Sequence, residues 1–289
     1  MYCGGVLPAT EIAKAPPQRN LETFERAFNA VMWPSSVVDE RAEAALAAAF
    51  DLEIAEAHAM IAANKPLPLA RCHNHQEAEI IAALITNCGL KSSIIADEDL
   101  RLDSELPRAR RIVPSDDGFQ VNHLAGVMNL AVSEIKLMTL GLLRNTRVDF
   151  TEGKTGVGAR TSNVLDTAEF RSDEALLDIY TSSLDRSFRV RADGFDYSGM
   201  VKPLSFRAEE NFRALARALR QSAPEAVFDD DFSRIRGLLA RAWPERSRTE
   251  AQGLQKTGFI RSAAKSSVIS DNRDQFERYS RLMFLFTSQ

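Results

Sequence analysis

The densest cluster of potential metal ligands in the chain is Cys72-His73-Asn74-His75. A thiol and two imidazoles within four residues have the softness to hold a zinc-like ion where a strand hands over to a helix. A closed site needs a further ligand and groups that orient the first ones; His58 and Cys3 are the nearest candidates in sequence. Asn74 already has a role as a helix cap, so a surface loop without metal is the expectation. Glu152-Gly153-Lys154-Thr155 ends as a phosphate-binding loop ends. That motif requires a glycine where Val148 stands and a helix afterwards, so a strand-to-strand loop is expected. Asp229-Asp230-Asp231 could offer carboxylates to a hard cation. They directly precede an apolar-periodic segment, where capping and the helix dipole account for them. Asp97-Glu98-Asp99 reads as a solvated linker. Neither Gly-x-Ser-x-Gly nor His-Glu-x-x-His occurs, and His123 is the only one of four histidines in the later part of the chain. A Ser-His-Asp set assembled from distant residues stays open. No metal, no cofactor and no catalytic residue is expected, and an enzyme is the less favoured class.

The elements that would position any site fall into two parts. Residues 1–20, with Pro8, Pro16 and Pro17 among small and polar residues, read as an extended lead-in. Leu21 to Met32 fits a helical stripe (Leu21, Phe24, Phe28) as well as a strand alternation (Phe24, Arg26, Phe28, Ala30), and Trp33-Pro34 ends it. A helix starts at Asp39, with Ala42, Ala45, Leu46, Ala49 and Phe50 at three- and four-residue steps. A second covers about 53–63 and stops at Asn64-Lys65-Pro66. Leu67–Arg71 is a short strand. Asn74 and Glu77 form a capping-box pattern for a third helix, which Gly89 closes. Lys91 to Ala96 is the next strand.

With those elements in place, residues 39–96 resemble the C-terminal domain of the bacterial ribosomal stalk protein, a two-layer α+β unit. The matching positions are the helix pair ending at Lys65-Pro66-Leu67, Asn74, Glu77-Ala78-Glu79, Leu84, Gly89 and the closing strand. The same fold occurs in the adaptor of the Clp protease, so the resemblance implies a small protein-binding platform. The stalk family's helix pair is basic and apolar, whereas this one carries Glu40, Glu43, Asp51, Glu53 and Glu56 against Arg41. Recruitment of translation factors is therefore not implied. Met1-Tyr2-Cys3-Gly4-Gly5-Val6 resembles half of a zinc-ribbon knuckle, with one cysteine where tetrahedral binding uses paired ones, so a degenerate remnant is expected.

Beyond Asp99 the pattern changes. Residues 110–113, 119–124 and 127–130 read as short strands around Ser115-Asp116-Asp117-Gly118. Ile135–Leu143 reads as one strand and 147–150 as another, and Lys154 to Asn163 as a Gly-rich loop. Leu176–Tyr180 and Phe188–Ala192 resume the alternation. Arg207 to Arg220 is an amphipathic helix with the stripe Phe212, Leu215, Ala216 and Leu219. A meander closed by one helix resembles the pleckstrin-homology-like barrel in architecture only, without signature residues for phosphoinositides. The expected organisation is α+β: a stalk-like module at 21–99, a barrel with its closing helix at 107–222, and a basic helical extension at 226–289. In that extension Phe232–Trp243 and about 271–286 are the helices.

The 289 residues are 45% hydrophobic and 26% charged, with a net charge of -4, which excludes wholesale disorder or a simple coiled coil. No stretch of about 18 apolar residues occurs, so no transmembrane segment is expected. Three cysteines cannot staple this length, and residues 1–5 lack a signal peptide's positive and apolar start, so a cytoplasmic location is expected. Residues 1–106 hold 16 acidic against 8 basic residues; residues 234–289 hold 11 basic against 5 acidic. The leading reading is a non-catalytic interaction protein with an unidentified protein partner. Its binding residues would be Glu43, Glu53 and Glu56 on the acidic helix pair and Arg241, Arg246, Arg248, Arg261 and Lys265 in the basic extension. One alternative is a small-molecule binder or enzyme with a pocket between the modules. The other is binding of an anionic membrane surface or nucleic acid through the extension, although the overall acidity disfavours nucleic acid. Oligomeric state is not readable from the sequence.

Overall fold

The computed structural model describes residues 13–17, 19, 21–22, 25–35, 39–153, 163–200, 202–256 and 262–288, with backbone alone at 152–153, 163–165, 252–256 and 262–265. The fold is α+β and divides into two units, Met1–Leu100 with Gly237–Trp243, and Arg101–Arg236 with Pro244–Gln289. No helix among the described residues is long and apolar enough to cross a membrane. The expectations for Cys3 and for the loop at 154–162 lie outside the described residues.

The first unit runs β1 (Phe28–Met32), α1 (Glu40–Phe50), α2 (Ile54–Ala62), β2 (Leu67–Cys72), α3 (His75–Asn87) and β3 (Ser92–Ala96). The ambiguous segment before Trp33 is a strand, because Ala30, Val31 and Met32 are all buried at the centre of an antiparallel sheet ordered β2-β1-β3. Asp39 caps α1 by accepting from the Arg41 amide at 3.0 Å. Asn74 caps α3 by accepting from the Glu77 amide at 2.9 Å, and Gly89 turns out of it at φ +81.

A polar network runs through this unit's core. Buried Asn29 donates to Ile95 O (3.1 Å) and to Asp97 Oδ1 (2.9 Å), and accepts from Trp243 Nε1 at 2.8 Å. Arg71, 7% exposed, reaches Asp97 Oδ2 at 2.7 Å and the carbonyls of Glu22 and Glu25. Asp97 is therefore an internal anchor rather than part of a solvated linker. A charged pair removed from water has to satisfy its remaining bonds nearby, and the carbonyls of the lead-in do so.

The second unit is built on β4 (Arg108–Ser115), β5 (Gly118–His123), β6 (Gly126–Ala131), β7 (Leu137–Gly153), β8 (Asn163–Tyr180), β9 (Phe188–Arg191), β10 (Val227–Asp229), β11 (Arg246–Lys256) and β12 (Ser262–Asp271). The sheet is ordered β11-β12-β7-β8-β9-β4-β5-β6, with β10 pairing parallel to the start of β7. β11 and β6 are its two edges, so among the described residues the sheet stays open and does not form the expected pleckstrin-homology-like barrel. The parallel β4–β9 pairing sets the meander alongside β9 and leaves its far edge, β6, unpaired among the described residues. Residues 226–289 are likewise not a helical extension: they supply β10, β11 and β12 besides α5 (Phe232–Leu239) and α6 (Arg273–Thr287). The sequence at 246–251 is polar on both faces, which hides the strand from any periodicity test.

β7 and β8 are sandwiched at their inner ends. On one face Leu177 and Ile179 join a core with Phe212, Leu215 and Leu219 of α4 (Ala208–Ser222). The alternate residues Asp178 and Tyr180 meet α6, where Ser280 donates to Asp178 Oδ2 at 2.7 Å. Gly141 belongs to that second face. A Cβ there would lie 2.3 Å from the Phe276 ring, so the close approach of α6 requires glycine.

Candidate functional site

The α4 sequence separates its faces cleanly. Phe212, Leu215, Ala216 and Leu219 are buried, while Arg213, Arg217 and Arg220 lie exposed at i, i+4 and i+7. Glu209 and Glu210 occupy the first turn and Arg220 the last, the polarity that complements the helix dipole. The start of α4 is fastened by Asn211, which accepts from the Ser205 amide at 2.7 Å and donates to its carbonyl at 2.8 Å.

Beside this helix lies a groove of about 600 Å3 whose apolar surface comes from Leu140, Leu142, Ala175, Phe212, Ala216 and Phe228. Its position follows from a break in strand pairing. β10 pairs with β7 through Thr139 and β12 pairs with it from Asn145 onward, so among the described residues Leu140 to Arg144 have no strand partner on that edge. The Arg144 amide is taken up by Asn272 Oδ1 at 2.8 Å, and Leu142 remains 37% exposed. The groove runs into a second hollow of about 510 Å3, which shares Arg217, Arg220 and Phe228 and adds Gln221 and Pro224.

Charge is distributed unequally along the rim. Glu209 is held by Arg213 at 2.6 Å, and Glu210 lies 3.6 Å from Arg207. At the other end Arg220 stacks its guanidinium 4.9 Å from the Phe228 ring centroid, and neither Arg217 nor Arg220 has a carboxylate partner among the described residues. Asp230 also lines the groove. An apolar floor with two guanidiniums at one end suits an amphipathic anion, since burial supplies affinity and the Arg forks orient a carboxylate.

The residues singled out in the sequence are dispersed. Glu43 is 9% exposed and faces His58 Nδ1 at 2.8 Å, bridging α1 to α2. Glu53 is exposed at the N-cap of α2, and Glu56 is half-buried. Arg241 donates to Phe50 O at 2.7 Å within the first unit, closing the C-terminal end of α1. Arg246 and Arg248 lie on β11 in the second unit, 3.9 Å from Asp274 and 3.1 Å from Glu250. Arg261 and the Lys265 side chain lie outside the described residues.

Of the metal-ligand cluster, Cys72 is buried, and its thiol is pushed up to about 11, first by burial and then by the negative charge of Glu77. It is a neutral thiol at physiological pH, the form that ligates metal poorly. His75 packs edge-on against Phe28 and lies 3.3 Å from Glu79. Among the described residues no group of three His, Cys, Asp or Glu side chains is gathered as an ion site. Asp229 is not a cap: it is buried and accepts from Tyr279 Oη at 2.8 Å. Asp231 takes the position at the helix start, accepting from the Arg234 and Ile235 amides through its carbonyl.

A further titratable cluster surrounds Asp178. Its carboxylate, fully buried, accepts from Arg189 Nε (2.6 Å) and Nη2 (2.9 Å) and from Ser280 Oγ (2.7 Å). Burial and the neighbouring Asp178 charge push the Tyr180 hydroxyl far up, so it stays a neutral donor. The groups satisfy one another and fasten α6 to β8. Comparisons with protein families, with curated proteins and with solved structures found no match. Arg213, Arg217 and Arg220 were visible in the sequence as the polar face of a helix. What could not be read was β10 and the gap it leaves on β7, which turn that face into the rim of a groove.

Proposed function

We propose that the protein is a non-catalytic interaction protein whose second unit docks a short segment of a protein partner in the α4 groove. The segment carries apolar side chains that cover Leu140, Leu142 and Phe228, followed by carboxylates that meet Arg217 and Arg220. The observation that supports this most is the pairing of an open apolar floor with two guanidiniums lacking carboxylate partners among the described residues. A peptide is favoured over a small molecule because the floor lies along a stretch of β7 that, among the described residues, lacks a strand neighbour on the edge opposite β8, where backbone as well as side chains can be read. The first unit supports an adaptor role. It is an α+β unit in which helices cover an antiparallel β2-β1-β3 sheet, and we read it, with the resemblance of residues 39–96 to the stalk-protein and Clp-adaptor fold, as a second platform with Glu53 and Glu56 as the acidic groups left on α2. A cytoplasmic protein partner is the setting in which two such platforms would act.

Selection of dodecapeptides displayed on phage against the full chain tests the proposal. The expected outcome is enrichment of apolar residues followed by Asp or Glu. Arg217→Glu with Arg220→Glu should weaken the selected peptides about tenfold or more, since each charge-assisted contact contributes about 1.5–3 kcal/mol. Leu142→Asp should remove binding. Absence of any enriched sequence, or peptides indifferent to all three substitutions, would overturn the proposal.

A further inference from the structure

A different surface of the second unit, independent of the groove, is suited to a second copy of this chain. Among the described residues β11 is an edge of the nine-stranded sheet, and residues 246–251 are exposed along it without interruption. Its inner side pairs regularly with β12 from Arg246↔Asp271 to Ala251↔Ser266, after which the register shifts before Gly253. A regular strand bordered by a bulge offers a short run of unpaired backbone groups, the template for strand addition.

The side chains of that run are self-complementary. In an antiparallel pair related by a two-fold axis through Thr249, Arg248 faces Glu250 of the second copy and Glu250 faces its Arg248, while Ser247 faces Ala251. Arg248 and Glu250 already lie on one face of β11, 3.1 Å apart. The dimer would therefore join two ion pairs into a four-charge cluster. Centring on Glu250 opposes two glutamates, and centring on Arg248 opposes two arginines while setting Arg246 across from Glu250 on either side. Opposite charges directly across a strand pair stabilise and like charges destabilise, so the register centred on Thr249 is the one that pairs Arg248 with Glu250 twice without opposing like charges.

We propose that β11 pairs with the β11 of a second copy in this register, joining two sheets edge to edge into a symmetric dimer. Such an interface is isologous, each strand presenting the same patch to the other.

Sedimentation equilibrium of the full chain across a range of concentrations tests it. The wild type should dimerise, more weakly at high salt. Arg248→Glu and Glu250→Arg each turn two attractive pairs into two repulsive ones and should weaken self-association about tenfold or more. The charge-swapped Arg248→Glu/Glu250→Arg double variant restores complementarity and should dimerise again. The two single variants, each impaired alone, should associate when mixed, because every cross-strand pair is then of opposite charge. A misfolded variant could not show that rescue. A chain that is monomeric at every concentration, or a dimer indifferent to both single substitutions, would overturn the proposal.

Discussion

Replacing Asp178 by alanine should be among the most costly single substitutions in the second unit. The carboxylate is fully buried and the Arg189 side chain is only 14% exposed, so neither charge can turn to water when the other is removed. The substitution deletes two bonds from Arg189 and one from Ser280, and leaves Glu277 at 2.8 Å as the guanidinium's counter-charge among the described residues. Breaking a buried pair from one side costs about 3–5 kcal/mol, and the surviving Glu277 contact places this case near about 3 kcal/mol. For a unit of this size that corresponds to a fall in Tm of roughly 6–12 °C. Removing both charges has a different expectation. Asp178→Leu with Arg189→Met and Ser280→Ala replaces a desolvated network by apolar packing, and should recover most of the loss. Urea denaturation of the single variants and of the combination gives the coupling energy directly. A loss below about 1 kcal/mol for Asp178→Ala, or effects that simply add, would refute the view that this network fastens α6 to β8.

Three further outcomes follow from local geometry. Gly141→Ala should cost about 1–3 kcal/mol because its methyl would enter the Phe276 ring, and Phe276→Leu in the same chain should return part of that in a denaturation series. Asn29→Ala deletes the amide's bonds to Ile95 O, Asp97 and the Trp243 indole inside the first unit and should cost about 1–3 kcal/mol, measurable by thermal unfolding followed through tryptophan emission. Cys72 should resist Ellman's reagent in the folded protein at pH 8 and react on unfolding, checked in a Cys3→Ser background; rapid reaction in the native state would contradict its burial. Because folding raises this thiol from about 9 to about 11, its stabilising contribution is complete below about pH 9 and should be lost as pH rises through 11.

The first unit was largely legible because its signals are local. Asp39 and Asn74 cap helices whose apolar residues recur at helical spacing, and Gly89 takes the left-handed conformation expected of it. Asp97 was misread because an acidic run looks solvated unless the distant Arg71 and Asn29 are known to surround it. In the second unit the inner halves of β7 and β8 were legible from the apolar runs Leu137 to Leu143 and Leu176 to Tyr180, most of whose residues are buried. Beyond them only Val148 and Phe150 alternate on β7, while the outer half of β8 and β11 are mostly polar on both faces, so little distinguishes strand from loop there. Two expected strands at 135–143 and 147–150 are consequently one strand of 17 residues. The three-residue β10 lies below any periodicity, although it defines one end of the groove. Glu43 looked like a free surface acid because nothing local shows that His58, fifteen residues on, returns to meet it.

The same electrostatics that stabilise α4 give its groove a direction. Carboxylates belong at a helix N-terminus and guanidiniums at its C-terminus, and α4 follows that order from Glu209 and Glu210 to Arg220. The acidic end is already neutralised by Arg213 and Arg207, whereas the basic end keeps Arg217 and Arg220 without carboxylates among the described residues. A ligand lying along the floor therefore meets a neutral start and a cationic finish, and its acid must lie toward the C-terminal end of α4. This asymmetry separates directional recognition from nonspecific apolar adhesion. Reversing the charge order of a bound peptide, with composition unchanged, should abolish its affinity if the guanidiniums read its orientation, and should leave it unaltered if the floor alone holds it.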